Sequence, residues 1–385
     1  MKNIWPFSIS FFFFACVAFI GPFTVLYYRE LGFSGAQIGL LTGLAPLITM
    51  LSAPLWTGLA DTSNRHRFIM SLTLLLSSLS MVLLPLLRSF LPVLLLVATF
   101  NLFFAPINSL ADSATMFMLG EVKDRYGRVR VGGTFGFGLA AILAGSLVEN
   151  YGLKMAFWGG SVMLFLGLLV SQKLEYNQSQ KTTPIRQGAR TLLQNRPFIL
   201  FLAMAFAGGL NVATTTNYLL PYVKELGAES SIMGLILMTG TLAEIPILIF
   251  SHHLLKRFQP YTLVTLAVAI SGVRLLLLAI INTIWLIFPV QLLNGLGYPL
   301  MWLAGVAYAD QNAPPGLNAT AQGLFGATVG GLGMAVGGFS GGLLLDVVSG
   351  REMFVIFGTI VLTIVGLVMV LGKRPYPQTA SANIP

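Results

Sequence analysis

Long apolar runs alternate with short polar interruptions along nearly the whole chain. The first of them, from Phe7 to Tyr28, carries no charged residue. A helix needs about 20 apolar residues to cross the ~30 Å hydrocarbon layer of a bilayer, so runs of this length are long enough to span. The pattern predicts helices over residues 7–28, 36–60, 68–88, 91–118, 129–150, 153–172, 197–222, 230–254, 261–281, 283–309, 318–346 and 351–372. The longest polar stretch, Lys173 to Arg196, falls between the sixth run and the seventh. It divides an N-terminal six-helix bundle, residues 1–172, from a C-terminal six-helix bundle with a short tail, residues 197–385, and residues 173–196 form the linker. An amphipathic helix around Ala189–Leu193 would suit that linker and lie on the membrane surface.

Composition agrees with the pattern. Of the 385 residues, 56% are hydrophobic and 9% charged; a soluble domain carries about a quarter charged residues. Soluble enzymes, DNA-binding domains and secreted disulfide scaffolds are excluded. A single cysteine, Cys16, allows neither an internal disulfide nor a cysteine metal cluster. The net charge of +9 then needs a source. Sixteen basic residues lie in loops on the N-terminal side, against five on the other: Arg29, Arg88, Lys154, Lys224 and Arg351. By the positive-inside rule both termini are cytoplasmic, in a bacterial inner membrane. The basic charge therefore reports orientation in the lipid bilayer, and no nucleic-acid partner is called for. His252 and His253 are adjacent and point about 100° apart on a helix, with no acid at metal-ligand spacing, so no metal is expected.

The two halves repeat one another. Tyr27-Tyr28-Arg29-Glu30-Leu31-Gly32 matches Tyr222-Val223-Lys224-Glu225-Leu226-Gly227, and Gly39 matches Gly234, both at an offset of 195. Pro54 and Arg65 match Pro246 and Arg257, offset 192; Asn101 and Pro106 match Asn294 and Pro299, offset 193. Gly145, Glu149 and Phe157 match Gly342, Asp346 and Phe354, offset 197. Parallel six-helix repeats place a solute site near the bilayer midplane, between the halves.

Four charges fall within or at the edge of predicted spans: Asp112, Arg130, Glu244 and Arg274. At roughly 3 kcal/mol each, leaving them unpaired in hydrocarbon would be expensive, so they should face a cavity or one another. Asp112 shares a helical face with Asn108 and Asn101, Asn211 with Thr215, Tyr218 and Tyr222, and Asn294 with Tyr298 and Trp302. Such stripes fit an aqueous cavity, but they also fit interhelical hydrogen bonding. A buried acid that an arginine can approach is able to hold a proton in one state and release it in another, as a proton-coupled carrier requires. Glycines crowd the fifth and eleventh spans (Gly132, Gly133, Gly136 and Gly138; then nine from Gly323 to Gly342), which suits close packing and also rocking helices.

These residues resemble the major facilitator superfamily, in the branch of phenylpropionate permease and its relatives among the lactose permease-type proton symporters. The resemblance rests on Phe100-Asn101-Leu102-Phe103-Phe104-Ala105-Pro106, then Asp112, then Tyr126-Gly127-Arg128-Val129-Arg130-Val131-Gly132-Gly133. Ala243-Glu244-Ile245-Pro246, Gly272-Val273-Arg274 and Ala313-Pro314-Pro315-Gly316-Leu317 extend it. It implies the major facilitator fold: an all-α membrane protein of twelve transmembrane helices in two pseudo-symmetric six-helix bundles. It also implies solute contact for Asp112 and Arg130, and an inner-gate role for the loop containing Asp61, Arg65 and Arg67. In that loop His66 stands at a position the family gives to a basic residue. Asn294 and Gly297 stand where lactose permease has its proton-coupling histidine and glutamate, so its coupling scheme does not transfer.

The sequence thus reads as a monomeric secondary carrier that imports a small organic solute with a proton by alternating access, uses no cofactor and is not an enzyme. Asp112, Arg130, Asn108, Asn211, Tyr218 and Trp302 are the expected solute contacts, and Glu244, Arg274 and Asp112 the expected proton-coupling groups. Aromatic acid, sugar and nucleoside all fit as solute. The alternatives are a proton-coupled exporter of drugs or metabolites and a membrane-embedded enzyme, although no clustered His, Asp or Glu at a membrane face supports the latter.

Overall fold

The fold follows from how each apolar run meets its neighbours. A computed structural model describes residues 4–120, 126–176, 191–314 and 317–372. Among them are twelve helices long and apolar enough to cross a membrane. Spans 1 to 6 are Ile4–Glu30, Gly35–Ser63, His66–Leu86, Phe90–Leu119, Val129–Tyr151 and Lys154–Ser171. Spans 7 to 12 are Arg196–Glu225, Ser230–Phe250, Pro260–Ile280, Ile284–Gln311, Thr320–Leu344 and Gly350–Gly372. The protein is an all-α membrane protein. An even number of crossings puts Ile4 and Gly372 on one face, here the terminal face; the other is the distal face. The linker helix expected around Ala189–Leu193 lies largely outside the described residues, of which 191–194 are helical.

Four spans depart from the α-helix within their length, and span 3 ends in a 3-10 turn over Leu84–Leu86. Span 1 turns at 21–23, and span 8 is interrupted at Ala243, between Ser230–Leu242 and Glu244–Arg257. Pro22 and Pro246 account for these breaks, because a proline ring displaces the carbonyl four residues back and offers it no N–H. Span 10 breaks at 292–293, between Ile287–Gln291 and Asn294–Gln311. Span 11 widens to a π-helix over Ala327–Gly333. Breaks and π-segments of this kind are tolerated in a bilayer where they are buried in protein or line a cavity. Outward faces carry Leu51, Leu55, Phe68 and Phe250, all exposed, as suits contact with lipid tails.

The two sets of six spans meet at the distal end. Gly39 of span 2 packs on Gly342 of span 11, and Gly145 of span 5 on Gly234 of span 8, with no room for a Cβ at any of the four. Gly39 and Gly234 are one repeat pair, Gly145 and Gly342 the other, so the same close approach is made twice. An acid accompanies each. Asp346 accepts the Gly35 backbone N–H at the start of span 2, and Glu149 accepts the Ser231 N–H at the start of span 8, at 2.8 Å. A carboxylate at a helix N-terminus satisfies a free donor and meets the positive end of the helix dipole. Arg29 adds an exposed ion pair to Glu225 at 3.4 Å, and Glu225 also accepts the Gly350 N–H. Toward the terminal face the halves part: span 5 packs along the distal segment of span 8 and barely touches its terminal segment. The space between them opens there.

Candidate functional site

Asp112 in span 4 and Arg130 at the start of span 5 are brought together as the sequence leads one to expect. Arg130 Nη1 donates to both carboxylate oxygens of Asp112, at 3.3 and 3.2 Å. Asn108, one turn before Asp112, donates from Nδ2 to Oδ2 at 3.2 Å, and Arg130 also donates to the Tyr126 hydroxyl at 2.9 Å. The guanidinium lies over the Phe14 ring of span 1, 5.6 Å from its centroid, a cation–π contact. The side chains of Arg130 and Asp112 are 39% and 32% exposed. Charges that open within a spanning helix belong on an aqueous cavity rather than against lipid. Tyr126 and Phe14 were not among the expected site residues. Tyr126 was legible as the i−4 neighbour of Arg130; Phe14 was not, because only the packing of span 1 on span 5 places it.

Across the cavity, Glu244 opens the second segment of span 8. Its Oε1 accepts from Asn294 Nδ2 at 3.0 Å, and Asn294 opens the second segment of span 10. Arg274 of span 9 is buried and donates to Gln291 Oε1, and Gln291 Nε2 donates in turn to the Ile236 carbonyl at 3.2 Å. Glu244 and Arg274 feel each other's charge but form no salt bridge among the described residues. Tyr298, one turn beyond Asn294, is within electrostatic reach of Arg130 and Glu244 alike. Gln291 was missed from sequence: its link to Arg274 crosses a helix break that periodicity does not show.

The remaining expected contacts divide. Trp302 is half-buried beside Tyr298 and Phe325, with centroids at 6.2 and 5.4 Å, and continues the aromatic wall. Asn211 is 3% exposed, and its Oδ1 has no hydrogen-bond partner among the described residues. Tyr218 lies apart from these groups in this structure. It is 1% exposed, its hydroxyl donates to the Gly338 carbonyl and lies 3.5 Å from Thr42 Oγ1, and it therefore belongs to the distal closure. Sharing a helical face with Asn211 did not place it on the cavity, because spans 2 and 11 converge over it.

The terminal-face loop after span 2 is held by local contacts. Asp61 pairs with His66 Nε2 at 2.9 Å, whereas Arg67 donates to the Leu174 carbonyl at 3.0 Å. The His66 ring stacks on Tyr176, with centroids 5.5 Å apart. Burial pushes the Tyr176 phenol up from its ordinary value, and the nearby Arg67 charge partly opposes this. Arg65 is exposed and precedes span 3 as its N-cap residue.

The sequence model of the MFS_1 like family matches residues 5–356. The chain belongs to this family, within the major facilitator superfamily. Uncharacterized transporter YwbF of Bacillus subtilis (strain 168) is 26% identical over 347 residues, covering 90% of this chain and 87% of that one. Maltose permease of Geobacillus stearothermophilus is 28% identical over 380 residues, covering 98% and 96%. The crystal structure of nucleoside transporter NupG shares the fold with a TM-score of 0.84 at 16% identity, over 97% of this chain and 100% of that one. This major facilitator protein is thus an integral membrane transporter of small solutes.

Proposed function

We propose that the protein imports a neutral, hydroxyl-rich solute of the sugar or nucleoside class together with a proton. The observation that carries this reading is the Asp112–Arg130 pair on the cavity, already neutralised internally and flanked by Asn108 and Tyr126. A hydroxylated solute finds carboxylate acceptors and guanidinium donors side by side there. A carboxylate solute would have to displace Asp112 from Arg130, and an aromatic acid is disfavoured for that reason. The likeness to maltose permease over nearly the whole chain supports a sugar-sized solute. Trp302 and Tyr298 would stack against a sugar ring or a base.

Glu244, across the cavity, carries the proton, with Arg274 setting when it leaves. Residues 1–172 and 197–385 rock about the site, joined by a cytoplasmic linker at 173–196, and the loop with Asp61, Arg65 and Arg67 takes part in closing the inner end. The basic terminal face is cytoplasmic, in a bacterial inner membrane, so the cavity opens inward in this structure. The chain acts as a monomer without a cofactor.

The test is transport by the purified protein in proteoliposomes, with labelled maltose, uridine and 3-phenylpropionate under an imposed pH gradient. Maltose or uridine should accumulate, and Glu244→Gln should retain exchange while losing accumulation. Accumulation of phenylpropionate alone would overturn the solute class, and undiminished accumulation by Glu244→Gln would overturn the coupling role.

A further inference from the structure

Glu244 and Arg274 each take an amide as partner, Asn294 and Gln291, and the two amides lie on opposite sides of the break in span 10. Gln291 ends the first segment and Asn294 begins the second. Gln291 is 3% exposed and Arg274 2%, so their hydrogen bond is made out of water, where losing a partner is most costly. Gln291 is engaged at both ends: Oε1 accepts from Arg274 and Nε2 donates to the Ile236 carbonyl of span 8. Arg274 Nε has no hydrogen-bond partner among the described residues. Asn294 meanwhile occupies Glu244. Gly240 of span 8 sits against both amides; a Cβ there would lie 3.4 Å from Gln291 Nε2 and 3.7 Å from Asn294 Nδ2. The Ala243 carbonyl at the break in span 8 occupies the place a Cβ on Gly295 would take, so the two interrupted helices meet where the amides are.

We propose that Gln291 is a positioning residue of the proton site: by accepting from Arg274 it holds the guanidinium off the Glu244 carboxyl, leaving Asn294 as that carboxyl's direct partner. The inference rests on the proposed role of Glu244 and adds to it the residue that controls its partner. Because the two amides sit on separate helical segments, bending span 10 at 292–293 alters both hydrogen bonds together. Freed from Gln291, Arg274 pairs with the Glu244 carboxylate, and the displaced proton passes to cavity water. The Tyr298 phenol is within electrostatic reach of both Glu244 and Arg130; neither Tyr298 nor Arg130 contacts Gln291 in the described hydrogen bonds.

The experiment needs no solute. The full chain in nanodiscs is titrated by infrared difference spectroscopy, following the protonated-carboxyl C=O band that Glu244→Gln removes. In Gln291→Leu the pH of half-loss of that band should fall by about one unit, a tenfold change in proton concentration. On an Arg274→Gln background the same Gln291→Leu change should move it no further, because the effect passes through the arginine. A purely structural role would lower thermal stability and leave the midpoint where it is. Gln291→Met, closer in length, serves the same comparison if the leucine variant does not fold. A midpoint at or above wild type in Gln291→Leu, with the band still removed by Glu244→Gln, overturns the positioning role alone. A band that survives Glu244→Gln overturns the proton-carrying role of Glu244, and the positioning role with it.

Discussion

At the scale of single residues, the Asp112–Arg130 pair makes a prediction that separates stability from transport. Each charge neutralises the other on a cavity that remains partly open to water. Asp112→Asn or Arg130→Gln alone should therefore lower stability by on the order of 1–2 kcal/mol, less than for a fully buried pair because water screens the orphan. The double variant should recover most of that loss in a thermal-shift measurement, since no lone charge is left. Under the proposed role it should not recover solute exchange, because the carboxylate and the guanidinium proposed to hold the solute are gone even though amides replace them. Recovery of exchange would show that the pair serves folding alone. Asp112 and Arg130 were legible from sequence because charge in an apolar run is too costly to be idle. Gln291 was not: an amide in a span is cheap enough to be structural anywhere, and only its contact with Arg274 distinguishes it.

Among the elements, glycine had two readings in the sequence, packing or motion, and the structure sorts individual residues. Gly39, Gly145, Gly234 and Gly342 are interfaces: backbone meets backbone where each side chain is missing. Gly323, Gly326 and Gly330 have open space around an added Cβ, as does Gly366 in span 12. Gly342→Val should thus cost about 1–3 kcal/mol in the distally closed state and open that end. The readout is faster maleimide labelling of a cysteine placed at Ser34, on the distal loop. Gly366→Val should leave labelling unchanged. The native Cys16 is fully buried and adds little background. The paired helix-start caps behave alike: Glu149→Gln or Asp346→Asn each removes a charge-assisted bond across the same closure. Each should raise Ser34-site labelling severalfold, and the double variant more than either. The symmetry of these latches was implicit in the offset of 197 between Glu149 and Asp346, but their partners, two backbone N–H groups, carry no sequence signal.

For the whole molecule, the observed conformation joins the halves at the distal end and parts them toward the terminal face. Alternating access then requires the distal bonds to break while the terminal ends close. A transported solute at saturating concentration should speed labelling at the Ser34 site; a solute that binds both conformations equally would leave it unmoved. The sequence by itself determined the twelve spans, the repeat and which charges fall within the spans, because burying polarity in lipid is costly enough to be written in composition and period. Tertiary structure alone decided that Tyr218 packs into the distal closure, that His66 takes Asp61, and that Gln291 takes Arg274 while Asn294 takes Glu244. Those outcomes depend on which helices converge and where proline and glycine interrupt them, and contacts between distant segments leave no periodic trace along a chain.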